Sequence, residues 1–251
     1  MVNGASEVTA RQLRDGASLI RRCGRFGLIG VLVFWGGQTA LHVLRTDLSV
    51  VNDYVSDYAN GSWGPLFTVA TLVHGVGNLA IAAGLGYTLG SARVARAGVL
   101  LFTVAALGLF VAAIFPTDPA DASQTVTGLI HRVAATGSFA VELVALTLLG
   151  LAFRANAAWR RYLRLSRTLT LVAAIMLAWL LVAILAEWPP GLPERAALLT
   201  FTVWEFATAL LLARAGAQRE SRRRADVALC VATPPKEVWP LRARVPPAEP
   251  R

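Results

Sequence analysis

The chain contains few charged residues, few cysteines and almost no lysine. Only 16% of its 251 residues are charged, against roughly a quarter in soluble domains, which excludes an ordinary soluble enzyme. Cys23 and Cys230 lie in polar segments near opposite ends and form no CxxC or Cys/His cluster, so we expect no structural disulfide. The only lysine is Lys236, close to the C-terminus, which argues against a retinal Schiff base within an apolar run.

Long apolar runs dominate the sequence instead: 55% of the residues are hydrophobic and the mean hydropathy is +0.55. A hydrocarbon core of ~30 Å needs about 20 residues of helix at ~1.5 Å each. Six runs are long enough, at about Phe26 to Leu44, Pro65 to Gly90, Ala97 to Phe115, Thr127 to Phe153, Leu169 to Glu187 and Arg195 to Ala213. The runs are continuous rather than alternating, which excludes a β-barrel. The sequence therefore predicts an all-α fold, an integral membrane bundle of six transmembrane helices over residues 26–213.

Basic residues alternate between the connections. The N-terminal segment carries five Arg, the second connection two, the fourth connection five, and the region from Arg214 onward nine Lys or Arg, whereas the other connections carry almost none. The positive-inside bias therefore predicts cytoplasmic N- and C-termini and a location in the cell membrane. Because the net charge of +9 comes from these segments, we expect the lipid bilayer as a partner and no nucleic acid.

The two ends of the chain differ in character from the apolar middle. Residues 1–25 form a basic cytoplasmic segment, in which the apolar positions among the arginines fit either a short interfacial helix on anionic lipid or a solvated basic arm. Residues 214–251 are rich in Arg and Pro and bury too little apolar area to offset the entropy of ordering. We predict a disordered cytoplasmic tail there.

Ionisable residues inside the apolar runs indicate a polar seam. An ionisable group in hydrocarbon costs several kcal/mol unless it faces protein or water. His74 lies nine residues after Pro65, and Glu205 lies ten residues after Arg195. These separations place the two side chains ~13 and ~15 Å from the start of their spans, near the midplane of the bilayer. Ser138 and Glu142 follow His131 by 7 and 11 residues, so the three side chains share one helix face. We expect these residues to form a seam running in from the outer surface, or else to hold helices together by hydrogen bonds of about 1 kcal/mol each.

Small residues in the second span predict close helix packing. They are Gly75, Gly77, Gly84 and the GxxxG pair of Gly86 and Gly90.

Acidic residues are concentrated in the connections predicted to lie outside. These connections carry Asp47, Asp53, Asp57, Asp118, Asp121, Glu187 and Glu194, with Tyr54, Ser56 and Tyr58 beside them. The outer face is therefore acidic and would concentrate cations. Alternatively, these side chains cap helices and solvate loops.

Three short motifs resemble a known family. Ser56-Asp57-Tyr58-Ala59 precedes the second span, Phe115-Pro116-Thr117-Asp118 closes the third, and His131 stands near the start of the fourth. In their order and their placement at outward helix ends they resemble the bacterial multi-pass membrane family catalogued as domain of unknown function 998. The resemblance covers about Phe26 to Ala213; Tyr58-Ala59 depart from the Leu-Gly more usual in that family. It implies the six-helix fold and points to Asp57, Asp118 and His131, but to no substrate.

The candidate polar site comprises Ser56, Asp57, His74, Asp118, His131, Glu142 and Glu205. The first hypothesis is a binding or accessory membrane protein with an outward-facing polar cavity for a lipid head group or a small amphiphile. The second is a metal-assisted intramembrane hydrolase in which Asp57, His74, Asp118 and His131 are possible zinc ligands, although no HExxH spacing is present. The third is a small proton- or cation-coupled transporter using Glu142 and Glu205. The sequence leaves open whether the protein binds a cofactor and whether it is an enzyme.

Overall fold

The computed structural model describes residues 2–119 and 122–232, so Asp121 and residues 233–251 of the predicted tail lie outside the described part. It contains six long helices: α1 Val2–Leu44, α2 Gly64–Leu89, α3 Arg93–Ile114, α4 Val126–Ala155, α5 Leu163–Leu185 and α6 Gly191–Ala232. Two short 3₁₀ helices, Val55–Ala59 and Arg160–Tyr162, lie in the connections, and the described residues include no strand. The six apolar stretches long enough to cross a bilayer are Gly16–Leu44, Gly64–Leu89, Arg93–Ile114, Val126–Ala155, Arg160–Leu185 and Gly191–Gln218. The predicted all-α membrane bundle is confirmed.

Local sequence signals explain where the helices begin and end. α2 has Pro65 in its first turn, where a missing N–H costs nothing, and it ends at Gly90, whose φ of 78° favours glycine. α4 begins after Thr125, whose side chain accepts a hydrogen bond from the Gly128 amide. α6 begins directly after Pro189 and Pro190.

The helices form a closed ring in chain order. Each helix packs on the one before it, α6 returns to pack on α1, and α2 also contacts α6 across the ring. Six crossings place the N-terminal end of α1 and the C-terminal end of α6 at the same end of the bundle, which we call the termini end. The opposite end, the loop end, carries connections 45–63, 115–125 and 186–190. Consequently α2, α4 and α6 all begin at the loop end and run parallel to one another.

Glycines let the helices approach closely. A Cβ on Gly30 of α1 would lie 2.9 Å from the Cα of Gly77 in α2, and one on Gly84 would lie 2.8 Å from a methyl group of Leu212 in α6. The packing predicted for Gly75, Gly77 and Gly84 is therefore present. For the GxxxG pair the prediction is wrong, because a Cβ on Gly86 would only touch Val99 at 4.0 Å and Gly90 borders open space.

Helices α1 and α6 extend well beyond the predicted spans. At ~1.5 Å per residue each is roughly 60 Å long, about twice the hydrocarbon thickness. Residues 2–25 continue the first span as one helix, and residues 214–232, expected to be disordered, are helical. The segment has no proline before Pro234 and is rich in Ala and Arg, which favour helix. An ion pair of 2.6 Å between Arg21 and Glu220 also links the two extensions.

Candidate functional site

A narrow cavity runs inward from the loop end between the parallel helices. It encloses about 70 Å³, measured as the space open to the centre of a water molecule. Since one water needs roughly 10–15 Å³ of such space, the cavity has room for several waters or a short organic chain.

Two helices line the cavity with matching columns of side chains. On α4 the column runs from His131 at the loop end to Glu142, and on α6 from Glu194 to Glu205. Each pair is separated by 11 residues, about three helical turns, so each column occupies one face over ~16 Å. α2 completes this wall with Thr71 and His74, whereas α1 and α3 contribute only apolar side chains, including Phe34 and Leu109.

A buried polar cluster closes the inner end of the cavity. Nε2 of His74 lies 2.6 Å from Oε2 of Glu205, and Nδ2 of Asn78 donates to Oε1 of Glu205 over 2.6 Å. The carboxyl group of Glu142 is within hydrogen-bonding reach of that of Glu205. Glu205 is 1% exposed and Glu142 6%. The cluster joins α2, α4 and α6 and contains three ionisable groups in a medium of low dielectric constant.

Several buried atoms around the cavity have no hydrogen-bond partner among the described residues. On the cavity wall these are Oγ1 of Thr71, Nδ1 of His74 and Oε1 of Glu142. Away from the wall, Oδ1 of Asn78 in the inner cluster and the side-chain amide of Gln38 in α1 are likewise without a partner among the described residues. A buried polar group without a partner costs about 1–3 kcal/mol, so such a cluster favours a site that binds polar groups.

One ring nitrogen of His131, Nδ1, is hydrogen-bonded to the end of α3, which sets the role of the other, Nε2. Its Nδ1 lies 2.9 Å from the carbonyl oxygen of Ala112 and 2.8 Å from that of Phe115, both at the end of α3. Carbonyl oxygens only accept, so Nδ1 carries a hydrogen and donates it to them. In the neutral ring Nε2 is then an acceptor. The contact with Phe115 also joins two of the sequence motifs. One is His131, and the other is the stretch from Phe115 to Asp118.

Val55 and Ser56 of the first connection form a roof over the loop end of the cavity. The buried carboxylate of Glu194 accepts a hydrogen bond of 2.5 Å from the Val55 amide, which holds the roof to α6. Tyr58 of the same connection and Phe67 of α2 are buried and pack with Val55 in one apolar cluster.

Arg195 fastens the roof connection. Its Nη1 donates to the carbonyl oxygens of Val50 and Asp53 over 3.0 and 2.8 Å, and its Nη2 donates to the hydroxyl of Tyr58 over 3.3 Å. The same hydroxyl lies 3.1 Å from Nδ1 of His42. The guanidinium therefore ties the first turn of α6 to a loop more than 130 residues earlier in the chain.

Asp57 and Asp118, both singled out from sequence, do not line the cavity. Asp57 accepts a hydrogen bond of 2.8 Å from the Tyr54 amide, and burial raises the pKa of its carboxyl group. Asp118 accepts hydrogen bonds from the hydroxyl and the amide of Thr125, over 2.6 and 2.9 Å, and these bonds lower its pKa. Both side chains cap local structure.

The four proposed zinc ligands do not come together. His74 contacts Glu205, Asp118 contacts Thr125, and the described residues contain no group of three or more His, Cys, Asp or Glu side chains that could hold a metal ion. His74, His131, Glu142 and Glu205 line one cavity, together with Ser56 from the roof.

Sequence reasoning missed Glu194 and Thr71 as cavity residues. Glu194 was grouped with the loop acids, although its 11-residue distance from Glu205 repeats the distance from His131 to Glu142. That repetition was the available signal. Thr71, three residues before His74 on the same face, is a common residue type in apolar helices and gave no signal of its own.

Comparison with known proteins gives a family and nothing finer. The chain matches the family described as "Protein of unknown function (DUF998)" over residues 28–211. No curated protein and no solved structure matches it. The match covers more than half of the chain and includes all the cavity residues, so this multi-pass membrane protein belongs to the DUF998 family.

Proposed function

We propose that this protein is a binding protein of the cell membrane, whose cavity receives a small amphiphile or a polar head group. The observation that carries the proposal is the set of buried atoms without protein partners on the cavity wall, on Thr71, His74 and Glu142. Such atoms are costly unless a bound molecule satisfies them. The apolar remainder of the wall, such as Phe34 and Phe201, suits a short hydrocarbon portion.

The closed inner end favours binding over transport. Beyond the polar cluster, Ile81, Leu85, Leu146, Leu149 and Leu212 are fully buried and pack in one apolar core. Within the described residues this core separates the cavity from the termini end. Proton- or cation-coupled transport by Glu142 and Glu205 would need a path through it, and metal-assisted hydrolysis would need a ligand group that the described residues do not contain.

A ligand-dependent stability assay tests the proposal. Purified protein in lipid nanodiscs is heated with hexylammonium, hexanol or hexanoate, and its unfolding is followed by tryptophan fluorescence. We expect at least one of the three to raise the melting temperature of the parent. Ala135→Leu, which fills the cavity wall, should abolish the shift, whereas Ala140→Leu on the exposed face of the same helix should keep it. If no probe stabilises the parent, or both variants respond like the parent, the proposal is wrong.

The outward orientation of the cavity is part of the proposal and rests on the distribution of arginines. In a background without Cys23 and Cys230, Thr117→Cys at the loop end should react with an impermeant maleimide added to intact cells. Ala157→Cys, exposed at the termini end, should react only after permeabilisation. The reverse pattern would place the cavity on the cytoplasmic side.

A further inference from the structure

Carboxyl groups predominate among the charged groups of the cavity. Glu142, Glu194 and Glu205 line it, together with the imidazoles of His74 and His131, and among the described residues no Lys or Arg does. α3 contributes only apolar side chains to the wall, and α5 contributes none. An anionic ligand would therefore meet carboxyl groups with no arginine or lysine to hold it.

The contacts of the inner cluster indicate where two of its protons lie. Glu205 receives the Asn78 amide hydrogen and faces Nε2 of His74 at 2.6 Å, so one proton lies between the imidazole and this carboxyl group. Two ionised carboxylates repel each other at hydrogen-bonding distance in a low dielectric, so the contact of Glu142 with Glu205 contains a proton. Glu142 then has one oxygen toward Glu205 and the other, Oε1, without a partner.

We infer that the cavity recognises an organic ammonium group, which binds Glu142 in exchange for the proton between Glu142 and Glu205. This inference rests on the proposed binding function and names the class of ligand. The ammonium group keeps its three hydrogens, and the carboxyl proton leaves to water. One positive charge enters as one leaves, so the net charge of the cavity is the same before and after binding, and the exchange adds no buried charge.

The surroundings of Glu142 supply the rest of an ammonium site. Oε1 of Glu142 and Oγ1 of Thr71 are acceptors without protein partners. The rings of Phe34, Phe139 and Phe201 line the same space, and aromatic faces attract cations, more strongly where water is excluded. With about 70 Å³ available, the fitting ligand is an ammonium group on a short chain.

The ammonium could belong to a free amine or to a lipid such as phosphatidylethanolamine. Nanodiscs of phosphatidylglycerol contain no ammonium lipid, so n-butylammonium chloride should bind there. If the lipid is a source, the parent should bind the added amine more weakly in phosphatidylethanolamine nanodiscs than in phosphatidylglycerol nanodiscs. In phosphatidylcholine nanodiscs binding should be unchanged, because the quaternary head group donates no hydrogen bond.

Titration calorimetry in phosphatidylglycerol nanodiscs tests the exchange. Comparison of buffers with different ionisation enthalpies should give about one proton released per butylammonium bound. Where Glu142 is protonated, affinity should rise about tenfold per pH unit, because binding and protonation compete for one carboxylate. Glu142→Gln should lose both the binding and the proton release. Glu187→Gln, an exposed carboxyl change at the same end, should retain them.

The outcomes separate this inference from the binding function. Binding of butanol or butyrate by the parent, without binding of butylammonium, overturns the inference and leaves the binding function standing. Binding of none of the three overturns both. Butylammonium binding without proton release, or with an affinity independent of pH, overturns the exchange. All these measurements use the parent protein, so they decide the matter even if Glu142→Gln does not fold.

Discussion

Replacement of Arg195 by Met tests whether the roof of the cavity is held from α6. In the structure the guanidinium donates to the carbonyl oxygens of Val50, Asp53 and Gly191, over 2.8 to 3.0 Å, and to the Tyr58 hydroxyl over 3.3 Å. At ~0.5–1.5 kcal/mol net for each hydrogen bond, and with the side chain half-buried, we expect Arg195→Met to lower the free energy of unfolding by about 2–3 kcal/mol.

The sign of this effect is informative. A positive charge near the N-terminus of a helix opposes the helix dipole by ~0.3–1 kcal/mol. Without the roof contacts, Arg195→Met would therefore stabilise the protein. Arg132→Met, an exposed arginine near the start of α4, provides the matched control and should change stability by no more than about 0.5 kcal/mol.

The assay combines detergent-induced unfolding with hydrogen exchange measured by mass spectrometry. In Arg195→Met the amides of residues 49–58 should exchange faster, whereas those in the middle of α4 should not change. An increase in stability, or unchanged protection of residues 49–58, would show that the guanidinium does not hold the roof.

The remaining predictions concern helix packing and pH. Gly30→Ala should destabilise the protein by about 1–3 kcal/mol, because its Cβ would lie 2.9 Å from the Cα of Gly77, whereas Gly36→Ala, with nothing within 4 Å, should be neutral or slightly stabilising; thermal unfolding of both distinguishes them. The pKa of Asp118 is lowered in the fold, so its ionised form stabilises the protein at pH values above the ordinary pKa of 3.8, and this stabilisation is lost as the pH falls toward the lowered pKa. Asp118→Asn should therefore reduce the melting temperature at pH 7 and flatten the decrease of the melting temperature in acid. The raised pKa of Asp57 has the opposite sign, since its ionised form is disfavoured in the fold, so Asp57→Asn should raise the melting temperature at pH 7; a change of the same sign in both variants would contradict this assignment.

The spans were predictable because the bilayer imposes them. Any helix that crosses ~30 Å of hydrocarbon needs about 20 apolar residues, and that requirement is visible in a single sequence. The common face of His131, Ser138 and Glu142 was predictable for a similar reason, since it follows from helical periodicity alone. The continuation of α6 to Ala232 was not, because clustered arginines followed by prolines are typical of disordered tails, and the alanines that favour helix there are a weaker signal.

The partners of each polar side chain were not predictable. Whether Glu142 meets Glu205 depends on the rotation of two helices and on which helices are neighbours, and one sequence contains neither quantity. Asp57 and Asp118 show a second limit. An aspartate that caps a turn and one that binds a ligand occupy the same kind of position just before a helix, so their spacing alone does not distinguish them.

The direction of the helices explains where the ionisable groups of the cavity come from. α2, α4 and α6 all run inward from the loop end, and they supply His74, His131 with Glu142, and Glu194 with Glu205. Their N-termini surround the loop end with partial positive charge, and Glu194 lies in the first turn of α6. The effect of a helix N-terminus fades within a turn. Glu142 and Glu205 lie some three turns deeper, so their polar partners are each other and His74 rather than the helix ends. A cation entering from the loop end would therefore meet Glu194 first and the proton-sharing pair last, and only at that pair would it have to displace a proton.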